Sequence, residues 1–230
     1  MAAIAFFDVD KTLLSVNSAS LWLRREFKSG NISRLQALKA GFWISLYQLG
    51  FARMEDVLTK AVSTLQGRVE REVIEHTLAF YRNDVQQTIQ PAARAAVLRH
   101  KERGDLVFLL TSSSNYLSAP IADELNLDGF LANRFVVDKG VFTGHAVLPL
   151  CFGAGKVSHA RVVADKLHVD LRQCTFYTDS ASDVPMLEAV GVPVAVDPDP
   201  RLRRIARRRG WAIETWRQPL KALPPPGDAH

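Results

Sequence analysis

The stretch AIAFFDVDKTLL, residues 3–14, decides how this chain is read. Residues 3–7 are apolar without alternation and too few for a helix, so they predict a fully buried strand. That strand runs straight into Asp8 and Asp10, with Val9 between them and Thr12 two residues further on. Carboxylates at the end of a buried segment cost stability unless something uses them. Alternation in an extended chain is expected to send the Val9 side chain away from both acids.

Beyond this stretch, a segment from about Ser18 to Asp84 carries helical periodicity and no strand signal. In SRLQALKAGFWISLYQLG, Leu35, Leu38, Phe42, Leu46 and Leu49 recur at spacings of three and four. MEDVLTKAVSTLQG and VEREVIEHTLAFYRN repeat the habit, with Gly30, Gly50 and Gly67 as breaks. PAARAAVLRHKERG then reads as a helix opened by proline and closed by Gly104. DLVFLLTSSS is a second buried strand running into hydroxyls, and ADELNLDGFLANR gives a helix followed by a strand. RFVVDKGVFTGHAVL, with turn glycines Gly140 and Gly144, predicts an antiparallel hairpin. KVSHARVVADKLHV, SDVPMLEAV and RLRRIARRRG are expected helices, and TFYTD, VPVAV and WAIETW are expected strands.

Strands alternating with helices imply an α/β fold, a Rossmann-like parallel sheet with helices on both faces. The helical segment makes an inserted all-helical cap. The expected division is a core of residues 1–14 and 87–217, a cap of 15–86, and a flexible tail of 218–230 containing Pro224–Pro226.

Composition restricts the class further. The chain has 230 residues, 47% of them hydrophobic, which suits a globular protein with a sizeable core. No apolar run is long enough to span a membrane, and no basic leader precedes the first strand. Cys151 and Cys174 lack metal-ligand spacing and are expected to be buried small hydrophobes. A cytoplasmic protein follows from these features.

The net charge of +5 is concentrated in residues 201–210, which hold six arginines. A solvated helix face accounts for that run, and an acidic lipid or nucleic-acid surface is the alternative. Nothing aromatic interleaves it, so no nucleic-acid partner is expected. The run AGFWISLYQLGF, residues 40–51, is expected to pack inside the cap. Its alternative is a lipid-facing or dimer surface through Phe42, Trp43, Tyr47 and Phe51.

Ligands of open α/β sheets sit beyond the carboxyl ends of the strands. The polar residues there are DVDKT (8–12), TSSS (111–114), GAGK (153–156) and DSASD (179–183). Should the strands starting near residues 3 and 175 be neighbours, Asp8, Asp10, Asp179 and Asp183 share one region. Four close carboxylates require raised pKa values or a cation, and an oxygen-only ligand set suits Mg²⁺. Lys156 and the hydroxyls of Thr12 and Thr111 add donors suited to a phosphoryl group. A carboxylate there can attack phosphorus, and a neighbouring acid can move protons. Taken singly the signals have plainer readings: Asp179 as a helix cap, TSSS as a capping loop, Lys156 as a surface lysine.

GAGK is not a P-loop, because Leu150 and Val157 break the pattern at both ends. The six histidines lie scattered without metal-ligand spacing.

Together these motifs resemble the haloacid dehalogenase superfamily, in its phosphoserine-phosphatase-like branch (subfamily IB), over roughly residues 3–216. DVDKT matches the first motif, Thr111 the second, Lys156 the third and DSASD the fourth. The resemblance implies that Asp8 is the nucleophile and Asp10 the general acid and base. It also implies that Thr12 supports their loop and that Thr111 and Lys156 bind the phosphoryl oxygens. Ser112 is an equally good hydroxyl for the second motif. Asp179 and Asp183 would hold Mg²⁺ with Asp8 and the backbone carbonyl of Asp10.

Phosphoserine phosphatases read their substrate's ammonium with a glutamate nine residues after the nucleophile; this chain has Asn17 there, which argues against phosphoserine. The expected activity is Mg²⁺-dependent hydrolysis of a small phosphate monoester through an aspartyl-phosphate. A phospho-accepting signalling domain and a phosphatase of lipid-like phosphates at a membrane surface are the alternatives. A receiver-type signalling domain would have neither the long insertion nor the second acid.

Overall fold

The computed structural model describes residues 3–35, 38 and 54–217. Strand β1 (Ile4–Phe7) is buried at every position because both of its faces are covered. It pairs in parallel with β2 (Leu106–Ser114), Phe7 opposite Leu109. On its other side it pairs with β6 (Thr175–Thr178), Phe7 opposite Tyr177. The sheet continues outward through β3 (Gly129–Asn133) on one side, and through β7 (Val192–Val196) and β8 (Ala212–Glu214) on the other. All of its pairs are parallel, in the order β3-β2-β1-β6-β7-β8. The expected adjacency of the first strand and the TFYTD strand is therefore present.

Strand alternation divides β1 between two cores. Ala5 and Phe7 face one in which α4 (Pro91–Glu102) and α5 (Asn115–Glu124) supply Ala93, Ala96, Val97, Leu117 and Ile121. Ile4 and Phe6 face the other, against α6 (Ala154–Lys166), α7 (Val184–Ala189) and α8 (Pro200–Arg209). Helices therefore cover both faces, as the run of apolar strands requires. Phe7 stacks on Tyr177 at 4.5 Å between ring centroids and places its edge against His100.

Between β1 and α4 the described elements are helical: α1 (Ser18–Lys28), α2 (Met54–Ser63) and α3 (Glu70–Phe80). The apolar run 40–51 and the tail 218–230 lie outside the described residues. The two ends of the insertion leave the sheet side by side: Leu14 bridges Ile89, and the Ser15 N–H donates to Thr88 O at 2.8 Å.

The expected hairpin of β4 (Phe135–Asp138) and β5 (Val141–Ala146) forms, with Gly140 in its turn, whereas Gly144 lies within β5 rather than in a turn. It also grips the insertion at the chain segment joining α2 to α3. Gly67 N–H donates to Phe142 O, Phe142 N–H to Arg68 O, and Glu70 N–H to Gly140 O, all within 2.9 Å. Tyr116 on α5 adds its hydroxyl to Glu70 Oε1 at 2.7 Å.

Helix α8 starts with Asp199 as N-cap and Pro200 in its first turn, and ends with Gly210 in the left-handed conformation. Leu202 and Ala206 are buried while the six arginines point outward. Among the described residues no helix is long and apolar enough to cross a membrane. Cys151 and Cys174 are buried and unpaired, as expected.

Candidate active site

The chain leaves β1 at Phe7, and Asp8 is the first residue beyond it, still tied to the sheet by its N–H to Tyr177 O at 2.9 Å. Val9–Leu13 then form a single wide turn in which Lys11 adopts a positive φ of 57°. Val9 is buried away from the acids, but not by strand alternation. The extended chain has already ended, and the turn delivers Val9 to the core beside Leu13.

The same turn swings Asp10 toward α1. Its Oδ1 accepts the Ser18 N–H at 2.8 Å and its Oδ2 accepts from Asn17 Nδ2 at 3.3 Å. Asn17 meanwhile caps α1 by accepting the Ser20 N–H at 3.0 Å. Asn17 thus fixes the orientation of Asp10 and starts the helix at once. Thr12 is fully buried: its carbonyl accepts from Gln90 Nε2 at 2.7 Å, and its hydroxyl has no partner.

Lys156 lies in the first turn of α6, only 2% exposed. Its ammonium donates to Asp8 Oδ1 at 2.8 Å and to Asp183 Oδ2 at 2.7 Å, over the ring of Phe176. The surface-lysine reading is excluded by this burial. Gly155 makes the approach possible, since a Cβ there would overlap the Leu150 carbonyl oxygen.

Asp183, 1% exposed, also accepts from Thr178 Oγ1 at 2.7 Å, while its Oδ1 is buried without a partner. The carboxylate of Asp179 accepts no hydrogen bond among the described residues. The cap of the turn Ala181–Asp183 is instead Ser180, which removes the capping role as the reason for Asp179.

Thr111 is buried and its Oγ1 accepts the Ser113 N–H at 3.1 Å. Ser112 is half-buried; its carbonyl is held by Asn133 Nδ2 at 2.7 Å and its hydroxyl has no partner among the described residues. Ser114 caps α5, so one member of TSSS does have the plain capping role.

Electrostatics binds these groups into one unit. Burial raises the Asp8 carboxyl to about 7, opposed by Lys156 and reinforced by Asp183. Burial also raises Asp10, against the two hydrogen bonds from Ser18. Asp179 is raised to about 8 by burial and then by the charge of Asp8. Burial alone would lower Lys156, but Asp183 and Asp8 outweigh it and keep the ammonium protonated. Two cations therefore face the four acids, Lys156 in contact with Asp8 and Asp183 and Lys11 opposing the rise of Asp10 and Asp179.

Among the described residues no group of three or more acidic, histidine or cysteine side chains forms a ready-made metal cage. The donor set nevertheless fits a hard divalent ion: all-oxygen ligands, an orphaned buried Asp183 Oδ1, and carboxyls raised by burial and further by one another. Among the described residues the histidines do not take part. His100, for example, is buried between Asp105 and Tyr177 in a structural network.

A family model described as haloacid dehalogenase-like hydrolase matches residues 5–188. The chain belongs to the haloacid dehalogenase-like hydrolases. It is thus an enzyme, and its relatives include named phosphatases. It is 35% identical to a phosphoserine phosphatase of Mycobacterium tuberculosis over 96% of this chain and 73% of that one. It is 25% identical to a histidinol-phosphatase of Neisseria meningitidis over 93% of this chain and 98% of that one. A crystal structure of a protein of unknown function from Bordetella pertussis superposes with a TM-score of 0.84 at 28% identity, covering 93% and 99% of the two chains.

Sequence reasoning missed several residues that hold the site. Asn133 was invisible because its two partners, Ser112 O and Cys151 N, lie far away in sequence. Gln90 was missed for the same reason. Thr178 had a usable signal, a hydroxyl directly before Asp179 at the strand end. Asp199-Pro200 carried the signature of a helix cap, though not its second contact.

Proposed function

We propose that this hydrolase cleaves small phosphate monoesters through an aspartyl-phosphate on Asp8. The observation that carries the reading is the buried ammonium of Lys156 bridging Asp8 Oδ1 and Asp183 Oδ2 at adjacent strand ends. Asp8, with its Oδ1 on Lys156, forms the bond to phosphorus as the ester P–O bond breaks. Asp10, raised by burial, supplies the proton that the leaving alkoxide takes. In the second half the Asp10 carboxylate accepts a proton from water as that water attacks phosphorus. Orthophosphate leaves and the Asp8 carboxylate is restored.

Lys156 and the hydroxyls of Thr111 and Ser112 spread the charge on the phosphoryl oxygens, with Thr12 supporting the Asp8–Asp10 turn. Asp8, Asp179, Asp183 and the Asp10 carbonyl would hold Mg²⁺, which supplies Lewis-acid charge neutralisation when bound. The core comprises residues 1–14 and 87–217, and residues 15–86 form a cap over the site. The substrate is a soluble phosphate ester in the cytoplasm rather than nucleic acid or a membrane lipid.

Asn17 counts against phosphoserine, since its amide is engaged with Asp10 and the α1 cap and carries no charge for an ammonium. A panel of phosphate esters assayed with Mg²⁺, with Asp8→Asn as the blank, tests the proposal. Turnover in the parent that is lost in the variant supports it, and turnover retained in Asp8→Asn removes Asp8 from the mechanism.

A further inference from the structure

The loop Asp179–Asp183 is wound mostly on itself. Ser180 N–H donates to Thr178 Oγ1 at 3.2 Å, Ser182 N–H to Ser180 Oγ at 3.3 Å, and Asp183 N–H to Ser180 O at 3.2 Å. The two ends of the loop are anchored, since Thr178 lies on β6 and Asp183 Oδ2 is held by Thr178 and Lys156. The backbone between them is anchored by two further bonds, one on either side of Ser180, and both involve Asp199. The Asp199 N–H donates to Asp179 O at 2.8 Å, and the Ala181 N–H donates to Asp199 Oδ2 at 2.8 Å.

Asp199 uses its other oxygen differently. Oδ1 accepts the N–H groups of Arg201 and Leu202 at 2.7 and 2.8 Å, which caps α8. Serine, threonine or asparagine would cap a helix about as well with a single oxygen. The second oxygen is what distinguishes aspartate, and it is spent on the catalytic loop. Helix α8 is itself seated firmly, with Leu202 and Ala206 fully buried, and β6 and β7 pair Thr178 with Ala195 just below both loops. The loop is thereby referenced to a packed helix on the adjacent strand.

We propose that Asp199 is a positioning residue for the hydrolysis, holding the loop that carries Asp179 and Asp183 through the carboxylate oxygen its helix cap does not need. The inference rests on the phosphatase reading for the role of that loop. Asp199 touches no reacting atom; it acts through the backbone on either side of Ser180.

Asp199→Ser separates the two duties, because a serine hydroxyl caps α8 and cannot also reach Ala181. The readouts are hydrogen exchange of the Ser182 and Asp183 amides, the thermal midpoint, and kcat with KM. The expected result is a midpoint close to the parent's and faster exchange at those two amides. A kcat lower by about tenfold or more with little change in KM should accompany it, the scale seen when groups orienting metal ligands are lost. Asp199→Asn keeps the shape but turns an amide group toward one of the donor N–H groups, and is expected to loosen the same two amides. Leu202→Ala is the control for simple destabilisation of α8: the midpoint falls while kcat of the folded enzyme holds.

Parent-like loop exchange in both Asp199 variants, or an equal kcat loss in Leu202→Ala, would overturn the proposal. A parent protein that hydrolyses no phosphate ester would instead sink the phosphatase reading. The exchange comparison would still decide whether Asp199 holds the loop.

Discussion

Replacing Lys156 by methionine is the most direct trial of the site, because it removes the ammonium and keeps most of the buried stem. Asp8 loses the partner of its Oδ1, and Asp183 keeps only Thr178 on Oδ2. Breaking a buried ion pair by deleting one partner costs about 3–5 kcal/mol, since a desolvated charge is left behind. The lower end applies here, because Asp183 retains a hydrogen bond and Asp8 can shed its charge by taking a proton. For a chain of this size about 3 kcal/mol corresponds to a fall of roughly 6–12 °C in the thermal midpoint. Urea denaturation followed by tryptophan fluorescence gives the same quantity independently, with Trp216 buried against Phe7 and Tyr177 as a reporter. Added Mg²⁺ should recover part of the loss by supplying positive charge to the same carboxylates. A variant within about 1 kcal/mol of the parent would refute the reasoning, since that is the range of an exposed pair.

Three further outcomes are expected. Asp8→Asn should leave the circular dichroism spectrum and chromatographic behaviour unchanged while phosphatase turnover disappears; a misfolded variant would show that Asp8 is structural. Gly155→Ala should cost several kcal/mol or force α6 away from Leu150, because the new methyl meets a backbone oxygen rather than a flexible side chain; a thermal midpoint equal to the parent's would show that the close approach is not needed. His100 is lowered from its ordinary value by burial, so the folded state releases its proton more readily than the unfolded state. Its contribution to stability is complete above about pH 6.5 and is lost as pH falls toward the lowered value. His100→Gln should remove that slope, and an unchanged pH profile in urea titrations would count against it.

The strand ends were legible because each is a short apolar run that stops at a polar residue, and ligand sites of parallel sheets gather there. Asp8 and Asp183 follow from that logic, Lys156 stands out only within the full set of motifs, and the structure brings the three within hydrogen-bonding reach. Secondary contacts were not legible, for a physical reason. Asn17 as a cap and an orienter of Asp10, Gln90 on the Thr12 carbonyl, and Asn133 between Ser112 and Cys151 depend on distances no local pattern encodes. Val9 shows a subtler limit. Strand alternation predicted its direction, but a wide turn produces that direction, because the strand ends at Phe7 and the extended chain does not continue through Val9.

The backbone bonds from the β4–β5 hairpin to residues 67–70 carry a mechanical consequence. A helical insertion tethered only where its two ends leave the sheet, at Leu14 and Ile89, could sway in any direction. A second attachment at Phe142 and Gly140 turns that tether into a hinge line, much as a second bolt turns a pivot into a door. Sliding of the insertion along the sheet would break backbone bonds at one attachment or the other, and rotation about the line joining them is resisted by the Glu70–Tyr116 hydrogen bond and by Phe80 and Trp22, packed in the core that holds Phe7.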